Sequence, residues 1–166
     1  LYGIITAKAM GNENPTLGIL NVDGARQVER ALKELDSRGY KINFAGSVRE
    51  DGGTVMRGND LLAGVPDVMV TDSLTGNLLI KVFSSFTTGG SYESLGYGYG
   101  PGIGEGYKRI ILIISRASGA PLIREALRYA ATVAQNKITE IADKEFKAAE
   151  KAGYREILKK LSAPIE

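Results

Sequence analysis

A block of small polar residues at 72–77 follows a short apolar run, a pattern typical of an anion-binding turn. The hydroxyl groups of Ser73 and Thr75 can donate hydrogen bonds to an anion, and Gly76 lets the backbone approach it closely. Asn77 leads into an apolar helical pattern, whose first turn would supply free N–H groups and the positive end of a helix dipole. The alternative is that these residues only cap and turn the chain.

A second polar junction comes at residues 115–119, directly after the apolar run at 109–114. The planar guanidinium of Arg116 can present paired N–H groups to phosphate or carboxylate, and Ser115 can add a hydrogen bond. Lys81 lies one helical turn after the first block and could point its ammonium back toward the same anion. The alternatives are a surface arginine in a solvated loop and a solvated helix lysine.

The two junctions should lie at the same edge of one sheet, because the carboxyl ends of parallel strands meet there. Asn77 and Arg116 would then line a single pocket for a tetrahedral oxyanion. The glycine-rich segment at 87–106 could be a mobile lid over that pocket or only a connector. It lacks the Gly-Lys-Ser/Thr ending of a P-loop, and it precedes a predicted strand, unlike a dinucleotide fingerprint.

Short apolar runs alternate with helical patterns along the chain, which predicts an α/β fold with a mostly parallel sheet. The expected strands are 17–20, 42–45, 67–71 and 109–114. The third is apolar in the middle and should be buried, and the fourth carries the strongest strand pattern.

The helical patterns fall between and after these strands. The expected helices begin after Asp23, carry an apolar face over 78–86, begin at Pro121, span 137–152, and form a tail near Ile157. Asp23 should cap the first helix and Gly39 should end it, while Gly153 should end the fourth. The helix at Pro121 should bury a stripe that includes Ile123 and Leu127.

Composition limits the classes of function. The chain has 166 residues, 43% of them hydrophobic and 24% charged, as in an ordinary globular protein. Its net charge of +2 is small and evenly spread, which argues against nucleic acid. No apolar stretch could span a bilayer and no leader pattern is visible, so we expect a cytoplasmic protein.

Cysteine and histidine are both absent. This excludes disulfides, Cys/His zinc sites, a Ser-His-Asp triad and a cysteine nucleophile within these residues. We therefore expect no metal and no cofactor, and any thiol must come from elsewhere. Since the chain starts at Leu1 rather than Met, it is interpreted as a fragment.

Several segments share the spacing of known enzymes. They are residues 15–21 (PTLGILN), 58–60 (GND), 66–77 (PDVMVTDSLTGN) and Lys81. Together they resemble the acyl-ACP:phosphate acyltransferases, which carry a DGFTGN…K block after a similar apolar strand. The pairs Gly89-Gly90, Gly100-Pro101 and Ser115-Arg116 follow the order of the GG…GP…LSRG run of phosphotransacetylases. The resemblance covers about residues 15–135.

Within this superfamily the chain is similar to the alpha subunits of component C of glycine/sarcosine/betaine reductase complexes, which release acetyl phosphate from an enzyme-bound acetyl thioester. The resemblance implies a three-layer sandwich with the isopropylmalate/isocitrate dehydrogenase-like (phosphotransacetylase-like) fold, incomplete here. Residues 1–166 would be the C-terminal part, with a crossover between lobes near 96–108. The implied partners are phosphate, an acyl thioester and other reductase subunits, in a homo- or hetero-oligomer.

The same resemblance implies site residues. Ser115 and Arg116 would be catalytic and would hold the phosphate. The residues expected to line the same cleft are Ser73, Thr75, Gly76, Asn77 and Lys81.

Two positions depart from the phosphotransacetylase pattern. That family has an Asp six residues after the arginine, which helps to deprotonate coenzyme A, and another two residues before the serine. Here these positions are Leu122 and Ile113. The departure favours a protein thioester as the acyl donor. The alternatives are a lipid-pathway acyltransferase that uses acyl carrier protein and a structural subunit without catalysis. A decarboxylating dehydrogenase is disfavoured, since the sequence lacks its metal-binding aspartates and adenine-binding loop.

Overall fold

The computed structural model describes residues 1–161, which contain seven helices and four short strands. In chain order these are α1 (Tyr2–Ala9), β1 (Thr16–Leu20), α2 (Ala25–Ser37), β2 (Asn43–Phe44), β3 (Val55–Met56), α3 (Gly58–Ala63), β4 (Val68–Val70), α4 (Ser73–Thr88), α5 (Ala120–Gln135), α6 (Ile138–Lys151) and α7 (Tyr154–Leu161). The expected α/β class with a parallel sheet is confirmed. Within residues 1–161, every helix is too short or too polar to cross a membrane.

Strand β1 is the centre of the sheet, and all of its pairings are parallel. Leu17 pairs with Phe44 of β2 and with Val68 of β4, while Ile19 pairs with residues of both β3 and β4. Strands β2 and β3 therefore share one edge of β1, and β4 occupies the other edge. The chain leaves the carboxyl end of β4 directly into α4, which places the start of α4 at the edge where ligands bind in such sheets.

Two buried apolar clusters hold the helices to this sheet. The first joins β1, α2 and α7 through Leu17, Leu35 and Ile157. The second joins α1, α5 and α6 through Val133 and Ile138. Helix α1 contributes to both clusters, through Ile4 to the first and Ile5 to the second. The packing thus fixes α5, which follows the second polar junction, relative to the sheet.

The apolar run at 109–114 does not join the sheet. The prediction of a strand there, which had the strongest pattern of the four, is therefore wrong for residues 1–161. Its main pairing is one isolated antiparallel bridge, in which the Tyr99 amide donates to the Ile113 carbonyl at 2.7 Å. The opposing segment cannot keep the extended geometry that a ladder requires, because several of its glycines have positive φ. These are Gly98, Gly100 and Gly102, with φ of 101°, 72° and 72°.

Helix boundaries follow capping chemistry more than the apolar pattern. Helix α2 starts from Gly24 in the left-handed conformation and not from Asp23, whose predicted capping role is wrong. Gly39 and Gly153 follow the ends of α2 and α6 with positive φ, as predicted. Strand β4 is only half-buried, although full burial was expected.

Candidate functional site

The residues at 72–77 form the cap and first turn of α4, whereas the sequence predicted a turn that ends before the helix. The Asp72 carboxylate accepts hydrogen bonds from the Leu74 amide at 3.0 Å and the Thr75 amide at 2.9 Å. Aspartate is a strong N-cap, and this one converts the polar block into helix. The Gly76 amide donates to the Asp72 carbonyl at 3.1 Å. The amides of Leu74, Thr75 and Gly76 therefore already have partners, so an anion at this turn would be bound mainly by side chains.

A cavity of about 270 Å³ lies beside the first turns of α4. Ser73 and Asn77, four residues apart on one face of the helix, both line it. On the other sides it is lined by Glu93 and Tyr99 of the glycine-rich segment and by Leu122 of α5. The first junction and the start of α5 thus share one hollow.

Glu93 joins the two predicted junctions. Its carboxylate is buried, with 4% of the residue exposed. One oxygen, Oε1, accepts the Lys81 ammonium at 2.5 Å and also binds the Tyr99 hydroxyl. The other, Oε2, accepts the Ser115 hydroxyl at 2.9 Å and the Ser118 hydroxyl at 3.3 Å. Lys81 from the first junction and Ser115 from the second therefore bind opposite oxygens of a single carboxylate.

Backbone pairing holds Glu93 in this place. Its amide donates to the Ala117 carbonyl at 2.7 Å, and its carbonyl accepts from the Gly119 amide at 2.9 Å. Gly119 must be small, because a Cβ there would lie 2.1 Å from the Tyr92 ring. The glycine-rich segment is thus fixed against the turn that precedes α5.

The Lys81–Glu93 pair stays charged. Hydrogen bonds from Lys81 first, then from Tyr99, lower the pKa of Glu93 from its ordinary value of 4.5 to about 2. The same contacts, with Glu93 the larger, raise the pKa of Lys81. The cluster therefore carries one positive and one negative charge at neutral pH.

The lowered pKa predicts a pH dependence of stability. Since the folded-state pKa lies below the unfolded value, ionised Glu93 stabilises the fold above about pH 4.5, and the contribution is lost as pH falls through about 2. We expect the unfolding midpoint in urea of wild type to exceed that of Glu93→Gln at neutral pH, with the gap closing across this window. A gap that is constant down to pH of about 2 would contradict this account of Glu93.

The predicted site residues fall into three groups. Ser73, Gly76 and Asn77 line the cavity, and Lys81 and Ser115 reach it through Glu93. Thr75 donates its amide to the Asp72 carboxylate and belongs to the helix cap. Arg116 does not line this cavity. Its side chain is exposed beside Ser115 and has no ion-pair partner among residues 1–161.

Ser115 has a structural task that the sequence does not reveal. Its hydroxyl has one proton, which it donates to Glu93, and its oxygen accepts the Ala117 amide at 3.1 Å. The Ser115 amide in turn donates to the Ser118 hydroxyl at 3.0 Å. These bonds shape the turn that carries Arg116.

Sequence reasoning missed Glu93. A signal was present, since Glu93 is the one charged residue between Lys81 and Glu105, within a stretch of glycine, serine, threonine and aromatic residues. A lone carboxylate in such a stretch requires a cation or several donors if it is buried.

The comparisons with known proteins agree with this reading of the motifs. Residues 1–166 match the model of the fatty acid synthesis protein family. The chain is 70% identical over 162 residues to the glycine/sarcosine/betaine reductase complex component C subunit alpha of Peptoclostridium acidaminophilum, which covers 98% of this chain and 42% of that protein. The expected likeness to such subunits is therefore confirmed.

More distant relatives show the expected likeness to phosphate acyltransferases. The phosphate acyltransferase of Thermosipho africanus is 36% identical over 86 residues, 49% of this chain and 24% of that protein. That of Paramagnetospirillum magneticum is 33% identical over 108 residues, 57% of this chain and 28% of that protein. The chain spans less than half the length of these relatives, and no solved structure matches it. The match to the family model over all of its residues establishes that the chain belongs to the fatty acid synthesis protein family.

Proposed function

We propose that this chain is part of a phosphate acyltransferase that transfers an acetyl group from an enzyme-bound thioester to phosphate, forming acetyl phosphate in glycine, sarcosine or betaine reduction. The observation that carries the proposal is the Glu93 carboxylate, which links Lys81 and the Arg116 turn beside one cavity. The names of the relatives, a reductase component C subunit and phosphate acyltransferases, support the same chemistry.

The reaction is a phosphorolysis. An oxygen of hydrogen phosphate attacks the thioester carbonyl carbon, and the carbonyl oxygen becomes an oxyanion. When the oxyanion re-forms the carbonyl, the C–S bond breaks, the sulfur takes the proton of the hydrogen phosphate, and an acyl phosphate and a thiol are left. Lys81 lines a neighbouring cavity of about 280 Å³ with Glu93 and Ala117. Together with Arg116, the residue before Ala117, it supplies positive charge for the phosphate. The Asn77 amide and the Ser73 hydroxyl, which line the cavity, supply donors for the oxyanion. Because the chain has no cysteine, the thiol comes from another segment or subunit.

The proposal extends to the architecture of the whole protein. We assign the chain to the isopropylmalate/isocitrate dehydrogenase-like (phosphotransacetylase-like) fold, as the C-terminal part of a longer polypeptide with a lobe crossover near 96–108. The identity to a component C subunit alpha supports other reductase subunits as its partners.

The size and lining of the cavity favour a short acyl group. Its volume of about 270 Å³ is below the roughly 300–1,000 Å³ of pockets for drug-sized ligands. Ile80, Leu95 and Leu122 give it an apolar wall. Leu122 stands where phosphotransacetylases have the aspartate that activates coenzyme A, so this wall can seat a methyl group but cannot deprotonate a thiol.

We expect the full-length polypeptide with its partner subunits to form acyl phosphate from an acetyl thioester with more than ~100-fold higher kcat/KM than from a palmitoyl thioester, since the three-residue apolar wall offers a long chain few contacts. The measurement is phosphate-dependent acyl phosphate release from matched protein thioesters. Preference for palmitoyl would identify a lipid-pathway acyltransferase instead. Absence of turnover with both donors, together with absence of phosphate binding, would identify a structural subunit.

A further inference from the structure

We infer that Glu93 is a positioning residue for this acyl transfer, which fixes Lys81 directly and Arg116 through the serine turn at 115–118. The inference rests on the proposed function and goes beyond it, since neither the motifs nor the named relatives assign a role to Glu93. Glu93 lines the cavity, but its negative charge keeps it from binding the phosphate itself. It would set the positions of Lys81 and Arg116, the cations that would bind it.

The first arm of this arrangement holds Lys81. The ammonium binds Oε1 of Glu93 at 2.5 Å and the Tyr99 hydroxyl at 3.1 Å. A lysine ammonium has three donors, so one remains for an anion in the neighbouring cavity of about 280 Å³ that Lys81, Glu93 and Ala117 line. A free lysine side chain on an exposed helix face samples many rotamers, and ordering it on binding costs free energy. Because Glu93 and Tyr99 already hold Lys81 in one conformation, less free energy is lost when an anion binds.

The second arm holds the turn. Both serine hydroxyls donate to Oε2 of Glu93, at 2.9 Å for Ser115 and 3.3 Å for Ser118. Arg116 lies between these two serines and has no ion-pair partner among the described residues. Its backbone is therefore fixed by Glu93 while its guanidinium stays available. The buried carboxylate thus fixes the position of the Lys81 ammonium and of the Arg116 backbone.

The test is a double-mutant cycle in the full-length polypeptide with Glu93→Gln, Lys81→Met and both together, monitored as acetyl phosphate formation. We expect Glu93→Gln to lower kcat at least ~10-fold through misplacement of Lys81 and Arg116. KM for phosphate should rise as well, because Lys81 and Arg116 are the groups that bind the anion. In the Lys81→Met background the loss from Glu93→Gln should shrink at least ~3-fold.

A matched control separates positioning from folding. Glu105 also binds an arginine, Arg155 at 2.7 Å, but lies outside the cavity, so Glu105→Gln should change kcat less than ~2-fold. If Glu93→Gln does not fold, Tyr99→Phe replaces it in the cycle, because the Tyr99 hydroxyl bridges Glu93 and Lys81.

Each outcome decides the inference. Coupled losses with an unchanged Glu105→Gln control support it. Independent losses of Glu93→Gln and Lys81→Met, or an equal loss in the control, overturn it while leaving the proposed function in place. A wild-type polypeptide that neither binds phosphate nor forms acetyl phosphate removes both.

Discussion

Replacing Arg116 with alanine should lower phosphate-dependent turnover of the full-length polypeptide about 10²–10³-fold, the usual cost of losing one preorganised group that stabilises transition-state charge. The change should leave the fold intact. Arg116 is exposed and forms no ion pair within residues 1–161, so it has no packing partner to lose. Acetyl phosphate release as a function of phosphate concentration measures the effect.

Two further variants sharpen the Arg116 experiment. Arg116→Lys keeps the charge but loses the planar fork, so it should recover only part of the rate. Arg124→Ala removes another exposed arginine, one paired with Glu125 on α5, and should leave turnover unchanged. Equal rates for wild type and Arg116→Ala would remove Arg116 from the site, although the cavity at α4 would remain.

Elements that bury one apolar face were predictable from sequence. The apolar residues of α2 recur at helical spacing, and Ala25, Ala31 and Leu35 are buried. The same holds for Ile138, Phe146 and Ala149 of α6. In these helices the periodicity and the packing partner agree, so local pattern and tertiary structure give the same answer.

Where an apolar pattern has no partner among the described residues, the prediction failed. Ile111 and Ile113 are 55% and 57% exposed, although their run carries the strongest strand pattern. Ile123 and Leu127 of α5 are exposed as well, although a buried stripe was predicted to include them. Helix α4 forms, but its apolar residues at 74, 78, 82 and 86 point to solvent. Apolar periodicity indicates which residues can be buried. Whether they are buried depends on the elements that pack against them.

The site was only partly predictable for a related reason. The cavity-lining role of Ser73 and Asn77 follows from their place after a strand, a local rule. Glu93 is different, because its importance arises from contacts with Lys81, 12 residues before it, and Ser115, 22 residues after it. No spacing rule connects these three residues. Only the path of the glycine-rich segment brings them together.

The largest expected effect on stability comes from Ile19 at the centre of β1. Its side chain is 1% exposed and lies in the cluster that joins the sheet to α2 and α7. Ile19→Ala should reduce the free energy of unfolding by about 3 kcal/mol, because it leaves a cavity where β1 pairs with both β3 and β4. Urea unfolding of the full-length polypeptide measures the change.

The matched control for Ile19 is Leu62, a residue of similar size on α3 that is 87% exposed. Leu62→Ala should change the free energy of unfolding by less than ~0.5 kcal/mol, since the Leu62 side chain buries almost no surface in the fold. If both variants shifted the midpoint equally, β1 would not be the centre of the packed structure. The edge of the sheet that presents α4 and its cavity would then lose its physical basis, because β4 is held in register by β1 alone among the strands of residues 1–161.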